Sequence, residues 1–204
     1  VTQAFISSRP APPARPPALR FGENDAAFDC WGMNCGPAAL CALLGLTPAE
    51  VRPHMQDFEA KGYTNPTMMA AALRSLGVKF TTTLAPLGER QLEWPRFGLA
   101  RIQWGGPWTQ PGVPIQARYR MTHWVASWRD DACDQIFVGP DGKRAGGTHQ
   151  VFDVNSVALG GWYPFAGWRD DVVPWLLKEL YKRADGTWWI THAIEVANGG
   201  RRGA

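Results

Sequence analysis

The sequence predicts an α+β fold, with helices first and an antiparallel sheet after them. Two observations carry this. Up to Gly77 the chain is written in helix signals: capping residues, first-turn prolines, glycine stops and an apolar run, 38–44, with no polar face. From Val78 the period shortens, and β-branched and aromatic runs alternate with turn residues. At 204 residues and 45% hydrophobic content the chain can bury one proper core, and no firm domain boundary falls after residue 21.

Taken in order, Gly36-Pro37 suits a first helical turn, where a missing N–H costs little, and Gly45 ends the buried helix it opens. Thr47-Pro48-Ala49-Glu50 is a capping box that opens a second helix to about residue 60, with Pro53 as a kink. Asn65-Pro66 caps a third, whose apolar stripe is Met68, Met69, Ala72, Leu73 and Leu76 and whose stop is Gly77. Strands follow at 78–83, 97–104, 122–128, 135–138, 150–154 and 187–196. A hairpin turn is expected at Pro140-Asp141, and one late helix, about 168–184, has Pro174 in its early turns.

Composition narrows the function classes. The net charge of +3 is small and its Lys and Arg are dispersed, so no nucleic-acid partner is expected. No apolar run approaches about 18 residues, so no membrane span is expected, and no signal-peptide pattern opens the chain. Residues 1–21 read as an extended arm, with Pro10, Pro12, Pro13, Pro16 and Pro17 interleaved with Arg9, Arg15 and Arg20. The arm is either a loose linker or a strap onto a larger assembly. The 11 Trp are read as core filling, with a clustered aromatic cleft as the alternative. Cys30, Cys35 and Cys41 have a C-x4-C-x5-C spacing that matches no zinc arrangement, and neither a metal nor a cofactor is expected. Together with Cys133 they fit a reducing compartment, so a cytoplasmic protein is expected.

One cysteine stands apart. Cys35 falls at the first turn of an apolar helix, where unpaired N–H groups and the positive dipole end favour a thiolate, the nucleophilic form. Cys41 reads as a buried core residue, and Cys30 as a loop thiol or a disulfide partner for Cys35. A nucleophilic thiol needs a base. In 122–128, alternation sets His123 with Val125 and Ser127 on one face, and Asp153 follows on a second strand, opposite Phe152 and Val154. Two antiparallel strands would then bring Asp153 to His123, to orient the imidazole and stabilise its charge. Asn155 is the reserve for that role, and His192 the reserve base. His54 and His149 are expected to face solvent, and Asp130 and Asp131 to be turn residues.

Cys35-Gly-Pro-Ala-Ala-Leu40, His123-Trp-Val125 and Phe152-Asp-Val-Asn155 together resemble the papain-like cysteine peptidases, and look closest to the peptidase domain of bacteriocin-exporting transporters. The resemblance covers about residues 22–156. It implies a papain-like fold: an N-terminal helical subdomain, its buried nucleophile helix packed on an antiparallel sheet, with a cleft between them. It also implies cleavage of a peptide or isopeptide bond through a thioester, with Cys35, His123 and Asp153 as the triad and a peptide or protein as substrate. That branch has a glutamine several residues before the cysteine as oxyanion donor. Here position 29 is Asp, and no Gln lies between Phe21 and Cys35. Asn34 with the Cys35 N–H is expected to take the role, with Asn24 or the Trp31 indole as alternatives. The rival reading is a weak or inactive papain-like shell, held in a phage or secretion particle through the N-terminal arm. The motifs do not account for residues 158–204, and the loop 105–121 reads either as a cleft wall or as an ordinary surface connection.

Overall fold

The structure is a computed structural model that describes residues 19–85, 92–130, 136–138, 144–146 and 148–197. The expected arm lies outside these as far as residue 18. Its last part is not arm at all. Leu19 is 5% exposed in the core, Arg20 caps the first helix, and Phe21 opens it.

The helices come first. They are α1 (Phe21–Trp31), α2 (Cys35–Leu44), α3 (Pro48–Val51), α4 (Gln56–Lys61) and α5 (Pro66–Ser75). The all-apolar sequence of α2 dictates burial on every side, and Ala38 to Leu43 are at most 1% exposed. Burying Leu40 and Leu43 contributes about 1.5–3 kcal/mol each. Gly45, at φ 64°, closes α2 with its N–H on the Cys41 carbonyl. The Thr47–Glu50 capping box forms as read, but Pro53 ends the helix rather than bending it. A 3-10 turn over Arg52–His54 intervenes before α4. Asn65 caps α5 through Oδ1, which accepts from the Met68 N–H at 2.9 Å.

Among the described residues eight strands follow: β1 (Phe80–Leu84), β2 (Phe97–Trp104), β3 (Thr122–Asp130), β4 (Ile136–Val138), β5 (Arg144–Gly146), β6 (Thr148–Phe152), β7 (Trp162–Pro164) and β8 (Trp188–Val196). Six form an open antiparallel sheet in the order β1-β8-β2-β3-β6-β7, and β4 pairs with β5 separately. The turn expected at Pro140-Asp141 lies outside the described residues. The last strand, β8, runs between β1 and β2, with Thr82 opposite Ile194 and Leu99 opposite Ile194. The C-terminal stretch that no motif explained therefore sits in the middle of the sheet.

Alternation along these strands gives two cores. Leu99, Trp124, Ala126, Phe152 and Ile194 meet the N-terminal helices on one face. Ala100, Ile102, Trp104, Val125 and Val151 meet the late helical segment on the other. The short α6 (Ile115–Arg118) lies apart from that segment in the 105–121 connection; the segment itself is α7 (Phe165–Gly167), a π turn over Trp168–Val172 and α8 (Val173–Glu179). It ends five residues before the expected 184, because Leu180 and Tyr181 leave the helix for the cleft described next. Among the described residues no helix is long and apolar enough to cross a membrane.

Candidate active site

Cys35 is the first residue of α2, and the residue before it explains why the helix starts there. Asn34 has extended backbone, and its Oδ1 accepts from the Gly36 N–H at 3.3 Å. Gly36 has no room for a side chain, since a Cβ there would meet the side chain of Thr64. The thiol is thus held on a helix end whose own first N–H has no intrahelical acceptor.

His123, near the start of β3, is 2% exposed, and Asp153, just past β6, is fully buried. His123 Nε2 lies 2.9 Å from Asp153 Oδ2. That leaves Nδ1 for Cys35, whose sulfur hydrogen-bonds the His123 ring and the backbone N–H of Trp124. The structure therefore brings together the three side chains that the sequence singled out. Trp104 stacks on the imidazole, with ring centroids 6.4 Å apart and planes 29° apart.

The charges follow from these contacts. Burial pushes the Cys35 thiol up, but the His123 charge, its hydrogen bond and the Trp124 N–H outweigh this and leave it lowered. Burial likewise pushes His123 down, and the negative charges of Asp153 and Cys35 more than reverse it, to well above the usual imidazole range. Asp153, raised by burial, is brought below its ordinary value by His123 and by two further donors. The contacts thus favour a charged imidazole between Cys35 and Asp153, and that charge in turn favours the ionised thiol.

Those further donors were not visible in the sequence. Trp168 Nε1 donates to Asp153 Oδ2 at 2.8 Å, from the π turn of the late helical segment. Asn155 donates to Oδ1 from its backbone N–H and from Nδ2, each at 2.9 Å. Asn155 thus holds Asp153 rather than the imidazole, which was its alternative role. Only the fold brings Trp168 and Asp153 together, although a tryptophan beside a candidate acid could have been marked as a shield.

A cleft of about 420 Å³ opens over the thiol. Asn24, Phe28 and Met33 form one side, Thr122, Val154 and Asn155 another, and Leu180 and Tyr181 a third. The 105–121 connection is not part of this wall; the C-terminal segment is. None of the lining residues besides Cys35 and His123 is charged. The walls mix apolar side chains (Phe28, Met33, Val154, Leu180) with neutral polar ones (Asn24, Asn34, Thr122, Asn155, Tyr181).

Asn34, the expected oxyanion donor, lines the cleft beside Cys35 and already makes other hydrogen bonds. Asn34 is occupied as the cap, and its Nδ2 donates to the Gly62 carbonyl at 3.2 Å. The Trp31 indole ring is packed edge-on against Phe58, 5.5 Å away. Asn24 lines the cleft as Asn34 does, and its Oδ1 is buried without a hydrogen bond. Asp29 is exposed on α1 and takes no part in the cleft lining.

The other candidates fall outside the site. Cys41 is 1% exposed, and burial pushes its thiol up to about 12. Cys30 is exposed and takes a contact from Arg52 Nη1 at 3.2 Å; Cys133 lies outside the described residues. His192 is partly buried on β8 with Thr191 as neighbour. The expectation that His54 and His149 face solvent is corrected, since both are half-buried. His54 Nδ1 meets Ser75 Oγ at 2.7 Å, and His149 stacks on Phe165 with centroids 4.6 Å apart. Trp104, Trp124, Trp162 and Trp168 fill cores as read, whereas Trp175 is 48% exposed and the remaining tryptophans are partly buried. Among the described residues no three His, Cys, Asp or Glu side chains group as metal donors.

Comparison with known proteins gives no match: no family model, no curated protein and no solved structure aligns significantly with this chain.

Proposed function

We propose that this protein is a papain-like thiol hydrolase that cleaves a peptide or isopeptide bond through an acyl-enzyme thioester. The observation that carries the reading is the buried relay in which one imidazole bonds Asp153 through one nitrogen and Cys35 through the other. Burial alone would suppress both charges, and a purely structural site has no use for a thiolate and an imidazolium held against it.

In this reading the Cys35 thiolate attacks the carbonyl carbon, a C–S bond forms, and the π pair moves to oxygen. The Cys35 N–H and the Asn24 side-chain amide hold that oxyanion. Collapse expels the amine, which takes the proton from His123 Nδ1. Water then attacks the thioester, gives its proton to the same nitrogen, and the thiolate leaves. Asp153 keeps the ring oriented and its charge supported throughout, and Trp168 keeps Asp153 in place. Transfer to an amine instead of water uses the same steps. Asp29, the feature that favoured an inactive shell, directs no charge into the cleft.

The test is acetylation by p-nitrophenyl acetate, read by intact mass and peptide mapping. A burst that labels Cys35 and is abolished by C35A and by H123A supports the reading. Equal labelling of Cys30 and Cys35, indifferent to H123A, would overturn it.

A further inference from the structure

Arg101 is a buried cation that the reaction above does not use. It is 7% exposed, in the middle of β2. Its Nη2 donates to two neutral acceptors, the Tyr119 carbonyl at 3.4 Å and Thr122 Oγ1 at 3.2 Å, and its carbon lies 5.6 Å from the Tyr119 ring centre. Its Nε is buried with no acceptor, and among the described residues no carboxylate pairs with it. A guanidinium taken out of water without a counter-charge costs several kcal/mol, so its placement needs a reason.

The register gives one. Arg101 stands directly opposite Trp124, the residue whose backbone N–H bonds the Cys35 sulfur. Alternation puts it on the Leu99 and Trp124 face, which is the face that α2 covers. Its second acceptor, Thr122, is itself a wall of the cleft beside Cys35. Meanwhile the ionised triad is not neutral. A thiolate, an imidazolium and a carboxylate together carry one surplus negative charge, with His123 and Asp153 buried and Cys35 half-buried at the cleft. The molecule thus buries one unmatched cation beside one unmatched anion.

We propose that Arg101 is the charge-balancing positioning residue of the Cys35 site, offsetting the negative charge that an Asp at position 153 adds and so keeping Cys35 ionised. This rests on the thiol-hydrolase reading above. Burial lowers Arg101, and the charges of Tyr119 and then of Cys35 act on it in the raising direction. On β8, His192 is pushed down to about 4 by burial and by Arg101, so it adds no competing charge near neutral pH. The other titratable groups near the thiol are His123 and Asp153, already counted, and Tyr181, which burial raises and keeps neutral.

The experiment is the pH profile of Cys35 alkylation by iodoacetamide and by iodoacetate, with R101Q and R101K beside the wild type. For R101Q the midpoint moves up by about one unit and the rate at about pH 6 falls about tenfold, while the alkaline plateau is unchanged. R101K stays near the wild type, and both reagents respond alike. An unmoved midpoint in R101Q overturns the proposal. So does slowing confined to iodoacetate, which would make Arg101 a receptor for a substrate anion. A wild-type midpoint at the ordinary thiol value would instead sink the thiol-hydrolase reading itself. Should R101Q fail to fold, R101Q/C35S decides: removal of the thiolate restores folding on this account, and failure to restore it makes Arg101 purely structural.

Discussion

Trp168→Phe removes the indole donor that reaches Asp153 from the late helical segment. The lost bond is 2.8 Å long, and its acceptor is a fully buried carboxylate. Hydrogen bonds to charged groups are worth about 1.5–3 kcal/mol. The smaller ring adds on the order of 1 kcal/mol for the space left in a fully packed position. A loss of about 3 kcal/mol lowers the melting temperature of a chain this size by about 10 °C. The pH dependence separates the two contributions. Asp153 is held below its ordinary value of 3.8 in the folded protein, so its contribution is present above about pH 4 and lost as pH falls through the folded value. Urea unfolding should therefore show the full deficit at neutral pH and a smaller one in acid, where only the packing loss persists. A deficit equal at both pH values would show that Trp168 merely fills space.

Three further outcomes follow from the same geometry. N24A should slow acetylation of Cys35 by p-nitrophenyl acetate about 10²–10³-fold while iodoacetamide alkylation is unchanged, because alkylation forms no oxyanion; equal slowing of both would remove Asn24 from the oxyanion role. G36A should cost about 1–3 kcal/mol in urea unfolding, since the new methyl must displace the Thr64 side chain, and wild-type stability would show that the helix start is slack. Cys41, with its thiol near 12, should stay unlabelled in folded protein under conditions that fully alkylate Cys35, and labelling of both at one rate would contradict the burial of α2.

What could be read from the sequence was local. The starts and stops of α2 and α5 are set by Asn34, Gly45 and Asn65, whose caps act within four residues, so their boundaries were legible. The faces of β3 and the meeting of His123 with Asp153 followed from alternation along two strands, which needs no knowledge of the rest of the fold. Pro53 signalled a break, though its strength depends on packing. The helix α1 carries no such signal: only Ala27 of its residues is buried, so no apolar stripe announces it. Long-range placement was also hidden. Nothing local says that β8 enters between β1 and β2, or that Trp168 and Tyr181 turn toward a site whose cysteine lies more than a hundred residues earlier. Asn34 shows the cost of reading proximity alone, because adjacency to Cys35 fitted a cap as well as a catalytic donor, and the Gly62 carbonyl decides for the cap.

The central claim is that Cys35 rests as a thiolate because His123 is charged beside it. Its most direct test is the rate of iodoacetamide modification at Cys35 across pH, read by intact mass, in the wild type and in H123A. The account predicts a wild-type midpoint well below the ordinary thiol value of 9.0, and a return toward that value or above it in H123A, where burial is left unopposed. An alkaline midpoint in the wild type, unmoved by H123A, would contradict it.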